Sequence, residues 1–404
     1  MVKLFRALCT SLVFLCAAGI YSASVTGDSP TEAPTGFDTL TNGVVDQATH
    51  DDDRVEFEEI QDIASGLGPV YNAQGCGECH QTPVTGGISQ VTELRVGRFF
   101  AGVFTPHPGG SVINDRAIDA SIQEHVFPAD NVRTFRTALN VLGDGFVEAL
   151  ADDTIRGIAN RQPPSMRGEV IEVEVVEVPG FMRVGRFGWK NQHASLLSFS
   201  GDAYLNEQGI TNRLFLTENT SDGRSVADFD PVPDTPPDGE DADHNIDMFA
   251  QFMRATKAPP RDMALAATFD AQVGSELFNA VGCNVCHVRS IVTAPEGTLI
   301  NGGTFIVPPE LGDKRIHPFG DFLLHDIGTG DGIVQNGGPS TRNKMRTAPL
   351  WGLRTHSRFM HDGLSLTLEN AIERHEHEAR ASEERFDRLS RHERNQLLTF
   401  LMSL

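Results

Sequence analysis

Cys76-Gly77-Glu78-Cys79-His80 and Cys283-Asn284-Val285-Cys286-His287 decide the reading of this chain. Both are Cys-x-x-Cys-His, the attachment signature of c-type haem. In that chemistry the two thiols add across the haem vinyl groups as thioethers, and the adjacent histidine becomes the iron's proximal ligand. The pair therefore predicts two covalent haems, with His80 and His287 as iron ligands. Only 6 Cys and 14 His occur among 404 residues, too few for chance to place the pattern twice. A structural zinc site would need its second pair of ligands within roughly 12–20 residues, whereas the two motifs lie about 200 residues apart. A thioredoxin-like redox pair does not call for the histidine that follows both.

The first residues match an export signal. Lys3 and Arg6 form a basic n-region, residues 7–20 are mostly apolar, and the small residues Ser22 and Ser24 place cleavage after Ser24. The apolar run falls short of the roughly 20 residues of a membrane span, and Leu15 and Ala17 make a poor lipobox around Cys16. Cys9 and Cys16 fall in this leader and the other four cysteines in the motifs, so no thiol is left for a disulfide. Because c-type haem is attached outside the cytoplasm, the expected address is the periplasm, with the signal peptide 1–24 removed and no stable membrane insertion. A net charge of −22 disfavours nucleic acid and anionic lipid as partners and would steer a basic electron-transfer protein toward the surface.

Residues 25–54 are rich in Asp, Thr, Gly and Pro without periodicity, which predicts a flexible lead-in with order beginning near Val55. Phe57, Ile60, Ile63 and Ala64 recur at helical spacing, and this helix should end near Gly66, ahead of the first motif. Phe269, Val273, Leu277, Phe278 and Val281 give the second motif a similar approach. A helix followed by Cys-x-x-Cys-His is the usual opening of a cytochrome c domain. The expected fold is therefore mainly α, with two cytochrome c-type haem domains, an N-terminal one over residues 55–249 and a C-terminal one over 250–404. The distance between the motifs exceeds what one small cytochrome domain needs, so the first domain carries an insertion. Within it, Ile171-Glu172-Val173-Glu174-Val175 alternates apolar and acidic residues with period two, which predicts short β-strands there. Residues 221–243, rich in Asp and Pro, read as a surface loop, with an acidic docking face or a metal site as alternatives.

Toward the C-terminus, Ser390-Arg391-His392-Glu393 is a capping box. Leu397, Leu398 and Leu401 supply the apolar face of a terminal helix that should pack on the helix before the second motif. Leu368, Ala371, Ile372 and His375 fall at i, i+3, i+4 and i+7 of one stripe, which turns His375 inward and leaves His377 to solvent. A histidine on an apolar stripe is by default a hydrogen-bonded core residue, but in a haem domain it is also a candidate axial ligand.

Three further stretches sharpen the reading: Phe319-Gly320-Asp321-Phe322-Leu323-Leu324-His325-Asp326-Ile327-Gly328, Arg346-Thr347-Ala348-Pro349-Leu350-Trp351-Gly352-Leu353 and Phe359-Met360-His361-Asp362-Gly363. Together with Gly66-Leu67-Gly68-Pro69-Val70-Tyr71-Asn72-Ala73, His107-Pro108-Gly109-Gly110, Gly185-Arg186-Phe187-Gly188-Trp189-Lys190 and Gly209-Ile210-Thr211-Asn212, the chain resembles the di-haem oxidoreductase family, which is related to bacterial di-haem cytochrome c peroxidases and MauG-type enzymes.

The resemblance implies a peroxide-dependent oxidoreductase. Hydrogen peroxide or another small oxidant would meet the haem on His80, and the haem on His287 would pass electrons from a redox partner such as a small cytochrome or a cupredoxin. It places the sixth ligand of the second haem seven positions after the Leu that opens its helix, and His375 occupies that position. Related peroxidases usually have Met there and MauG-type enzymes have Tyr; bis-histidine ligation would lower the potential relative to His/Met. A distal carboxylate is the usual device for moving a proton between peroxide oxygens. Glu207 lies closest to the position of the relatives' acid and Glu148 competes with it, each having a structural role as its alternative. Phe199 stands where the relatives tend to have a polar Gln. Trp189 corresponds to the tryptophan between the two haems of the relatives, with core packing as its alternative, and Trp351 reads as core. The resemblance also implies calcium between the haems, for which the sequence offers no ligand set. Two other functions fit the same residues: a di-haem electron-transfer cytochrome without substrate chemistry, and a MauG-like protein-modifying oxidase.

Overall fold

In the computed structural model, which describes residues 29–404, the second motif is reached as its sequence predicts. The helix Phe269–Val281 is capped by Thr268, whose side chain accepts from the Ala271 N–H, and it ends at Gly282 in the left-handed region (φ 97°). That conformation suits glycine, and it turns the chain directly into a 3₁₀ turn over Cys283–Val285. The terminal helix Arg391–Leu401 opens with the Ser390/Glu393 capping box and crosses the first helix at Gly274, where a Cβ would overlap the Gln396 carbonyl oxygen. Phe278 and Phe400 meet there with ring centroids 5.3 Å apart. Phe278, Val281, Leu397, Phe400 and Leu401 form the core of this unit.

The approach to the first motif differs from expectation. The segment expected to be a flexible lead-in contains a short strand, Thr31–Glu32, paired in parallel with Lys314–Ile316. It also contains the start of the helix Gln47–Glu58. That helix is capped by Asp46 through the Thr49 N–H and pinned by Phe57, which packs on Phe252 at 4.7 Å and on Phe249 at 6.0 Å. These tertiary contacts override the polar composition. Ile60 and Ile63, which the spacing placed on the same helical face, are exposed; the chain re-forms only a 3₁₀ turn over Ile63–Ser65 before the Gly66 cap. The signal peptide, with Cys9 and Cys16, lies outside the described residues.

Phe249 and Phe252 belong to the helix Asn245–Ala255, so a boundary between residues 249 and 250 falls inside a helix. One core cluster unites residues from both sides of it, among them Phe146, Leu196, Phe252, Phe322 and Trp351.

With 32% helix and 16% strand in small sheets, the fold is mixed rather than mainly α. The largest sheet centres on Thr92–Phe100. Val132–Thr137 pairs along one edge, and Val103–Pro106 and Val112–Ile113 follow each other along the other. The predicted strand exists as Glu172–Glu174, antiparallel to Met182–Val184, with Val173 buried and both glutamates exposed. Residues 221–243 form turns and isolated bridges. Among the described residues, no helix is long and apolar enough to cross a membrane.

Candidate functional site

Each Cys-x-x-Cys-His motif opens onto its own cavity. His80, Cys76 and Cys79 line one of about 200 Å³, and His287, Cys283 and Cys286 line one of about 230 Å³. The two histidines are held alike. His80 Nδ1 lies 3.2 Å from the Gly87 carbonyl oxygen and His287 Nδ1 lies 3.0 Å from that of Phe319. A carbonyl only accepts, so each Nδ1 carries the hydrogen and each Nε2 keeps a free lone pair. Burial pushes His80 down from its ordinary pKa, and burial with the nearby His375 pushes His287 down to about 4, so both rings are neutral ligand donors near neutral pH. Burial also pushes Cys76, Cys79 and Cys283 up to about 12. All four motif thiols are unpaired. Such thiols lack the low pKa of a thioredoxin-type pair.

His375 is brought to the second cavity, as the helical stripe predicts. It follows the helix Leu368–Glu373, and its Nδ1 donates to the Ala371 carbonyl at 2.8 Å, which again leaves Nε2 free. His377 is exposed and pairs with Asp326 at 2.8 Å. Arg346 lines the same cavity and keeps a buried Nε–H without a partner. Two free imidazole nitrogens, two thiols and an orphaned guanidinium N–H among apolar walls fit an iron porphyrin with acidic side arms.

The first cavity is built differently. Among the described residues His80 is the only histidine on its wall, and Phe199, stacked on Phe187 at 6.0 Å, forms part of the lining. Glu207, in the last turn of the helix Leu196–Gln208, also lines it and accepts from Asn72 Nδ2 at 3.1 Å. Facing it are Glu93 and Arg95, two positions apart and therefore on one face of the strand Thr92–Phe100. Arg95 grips Glu93 with two bonds, Nε to Oε1 at 2.7 Å and Nη2 to Oε2 at 2.9 Å. Burial and the neighbouring Glu93 charge push Glu207 up to about 8. Burial acts on Glu93 in the same direction, but the Arg95 guanidinium outweighs it and holds that carboxylate below its usual range. The sequence reading missed Glu93 and Arg95; the available signal was an acid and a base two apart in the alternating run Thr92-Glu93-Leu94-Arg95-Val96.

Glu148, the competing acid, lies on neither cavity wall. It is fully buried, ion-paired with Arg254 at 2.7 Å, and accepts from the Leu196 N–H at 2.8 Å and from Asn301 Nδ2 at 2.9 Å. These bonds tie it into the packing at the start of the helix Leu196–Gln208. Trp189 lines both cavities together with Thr137, Ala138 and Leu139, so these residues form the shared wall. The indole Nε1 donates to the Thr137 carbonyl at 2.8 Å, which fixes the ring. Trp351 is buried, as expected of core, and also lines the second cavity. A second missed group is His325, beside Cys286, which bridges Asp321 at 2.9 Å and Glu378 at 2.8 Å. Among the described residues, the carboxylates that could share one cation are Glu218, Asp230 and Asp234, none of which lines either cavity.

The family model for "Di-haem oxidoreductase, putative peroxidase" matches residues 112–404, a span that begins after the first motif and includes the second. No curated protein matches the chain. Among solved structures, hydrazine synthase of Kuenenia stuttgartiensis pressurized with 20 bar xenon is 13% identical with a TM-score of 0.40, over 100% of this chain and 100% of that one. A MauG-like protein associated with microbial copper homeostasis is 14% identical with a TM-score of 0.42, over 95% of each chain. At these values the likenesses carry no argument about function.

Proposed function

Because the chain belongs to the di-haem oxidoreductase family, we propose that it is a periplasmic, peroxide-dependent oxidoreductase carrying two covalent c-type haems in two cytochrome c-type units. Bound haem would supply one-electron redox chemistry and a place where peroxide is activated. Cys76 and Cys79 would hold one haem with His80 Nε2 as an iron ligand. Cys283 and Cys286 would hold the other, with His287 and His375 as its candidate ligands. The observation that carries the proposal is the inequality of the two cavities: the second offers a second imidazole with a free Nε2, and the first offers a carboxyl group, Glu207, beside a single histidine. A site closed by two imidazoles suits electron transfer. One that presents an acid to an exogenous ligand suits proton-dependent chemistry. Trp189, on the shared wall, relays electrons between them, and the net charge of −22 guides a basic redox protein, such as a small cytochrome or a cupredoxin, to the surface.

Phe199 on the wall of the first cavity favours a second reading, an electron-transfer cytochrome without substrate chemistry. Low-temperature EPR and optical spectra of the purified holoprotein, fully oxidised and half-reduced, before and after hydrogen peroxide, separate the two. The proposal expects one high-spin, ligand-accessible haem and a Soret change on adding peroxide. Two low-spin haems with an unchanged Soret band would leave only the electron carrier. An oxidised residue on a co-purified protein would mark a MauG-like protein-modifying oxidase.

A further inference from the structure

We infer that Glu93 and Glu207 act as one acid–base pair in the first cavity, with Arg95 as the positioning residue that decides which of the two carries the proton. The inference rests on the peroxide reading of that cavity and adds to it a second catalytic carboxyl group and the residue that sets it. The geometry has three parts. Glu93, Arg95 and Glu207 share the cavity wall with His80. The two carboxyl groups are near neighbours on that wall, each acting on the other's affinity for a proton, and neighbouring carboxyl groups in a walled site do not both ionise, so the pair holds one proton. Arg95 occupies both oxygens of Glu93 with its Nε and Nη2, so the charge belongs on Glu93 and the proton on Glu207.

The surroundings agree with this arrangement. Asp202, which also lines the cavity, is already paired with His193 at 3.1 Å. Arg136, facing Glu93 from the neighbouring strand, is taken by Asp331 at 2.7 Å. As haem thioethers the sulfurs of Cys76 and Cys79 would carry no charge. Asn72 donates to Glu207 and cannot remove its proton. Two adjacent carboxyl groups in a walled site do not both ionise, and an environment that drives their affinities apart assigns one as acid and one as base.

A lone distal glutamate must take a proton from one peroxide oxygen and carry the same proton to the other. The pair removes that constraint. As one O–H bond of hydrogen peroxide breaks and its proton enters the pair, the proton already on Glu207 forms an O–H bond to the other oxygen. The O–O bond breaks and that oxygen leaves as water with the bonding electron pair, while the other oxygen, left two electrons short, would be retained by the haem that His80 would hold until it is reduced. The pair begins and ends with one proton. Reduction is completed by two further protons and two electrons from a one-electron redox protein, so that hydrogen peroxide, two protons and two electrons give two waters.

The test uses ferric holoprotein and cyanide, because hydrogen cyanide must surrender one proton on binding and needs no turnover. Infrared spectroscopy across pH should find one protonated carboxyl band that disappears in Glu207→Gln. In Glu93→Gln, where Arg95 is free to face Glu207, the same band should lose its proton at lower pH. The cyanide association rate should fall at least tenfold in Glu93→Gln, toward the ~10²–10⁴-fold that a positioned acid–base group contributes. Glu93→Asp keeps the ion pair with Arg95 while withdrawing from Glu207, and should show an intermediate loss if Glu93→Gln fails to fold. An unmoved carboxyl band together with a cyanide rate within twofold of wild type in either Glu93 variant would overturn the pair. Wild-type protein that binds cyanide in this pH-dependent way yet ignores peroxide would instead overturn the peroxidase reading and leave the shared proton standing.

Discussion

Replacing Glu148 by Gln separates a structural carboxylate from a catalytic one. The buried side chain is the terminus of four bonds: Oε2 accepts from Arg254 Nε at 2.7 Å, and Oε1 accepts from Arg254 Nη2 at 3.0 Å, Asn301 Nδ2 at 2.9 Å and Leu196 N at 2.8 Å. An amide at this position turns an NH₂ group toward a guanidinium or a backbone N–H, and it removes the charge that balances Arg254. Breaking one side of a buried ion pair costs about 3–5 kcal/mol, and each orphaned donor adds about 1–3 kcal/mol, largely overlapping with the first. We therefore expect a loss of about 4 kcal/mol, a large part of the ~5–15 kcal/mol that holds a domain together. At roughly 2–4 °C per kcal/mol, Tm should drop by roughly 8–16 °C. Leu196 opens the helix that carries Glu207 in its last turn, so some of the loss should appear as fraying there. Burial raises the Glu148 carboxyl, but Arg254 outweighs it and holds the group below its usual range. Its stabilisation is therefore present above the unfolded pKa and fades as pH falls through the lower folded value. Calorimetry and stopped-flow peroxide kinetics at a temperature where the variant is folded make the assay. A variant as stable as wild type that no longer reacts with peroxide would refute the structural assignment and restore Glu148 as the distal acid.

Three other outcomes follow from the same geometry. His375→Ala should open the second site, so that the reduced protein binds a second equivalent of carbon monoxide and the visible spectrum loses one low-spin component; an unchanged spectrum would return His375 to the core. Burial and the Glu93 charge push Glu207 up to about 8, so the acid is present below that pH, and the peroxide rate should decline as pH rises through about 8, approaching tenfold per unit, with that limb absent in Glu207→Gln. Gly274→Leu should lower Tm by several degrees or block assembly of the C-terminal unit, because a side chain there overlaps the Gln396 carbonyl and overpacking of this kind costs about 1–3 kcal/mol or more.

What the sequence made legible was local. The run Phe269 to Gly282 carries its own cap, stripe and left-handed stop, and Ser390 with Glu393 announces the terminal helix by chemistry confined to four residues. His375 could be placed because Leu368, Ala371 and Ile372 fix the face of one helix. The helix Gln47–Glu58 escaped because its sequence is polar, and its burial depends on Phe249 and Phe252, about 200 residues away. The mainly α expectation failed for a related reason: most of the strands are short pairings between distant segments, such as Thr31–Glu32 with Lys314–Ile316, and no periodicity develops over two or three residues.

The same distinction explains why Glu207 could be nominated and its partner could not. Glu207 sits at the end of a helix, where the family resemblance predicts an acid, whereas Glu93 and Arg95 reach the cavity from a strand whose register is set by pairing with Val132–Thr137. A one-residue slip of that strand would turn both side chains to the opposite face and leave Glu207 without a counter-charge to share its proton. The alternating face of Thr92–Phe100 thus brings the largest sheet to the wall of the first cavity. The second cavity has no such need, because His287 and His375 are both presented by the C-terminal unit. The two motifs are alike in sequence and in the carbonyl that orients each histidine. They part company in their linings, where one includes an imidazole placed just after a helix and the other two carboxyl groups, one from a helix and one from a sheet.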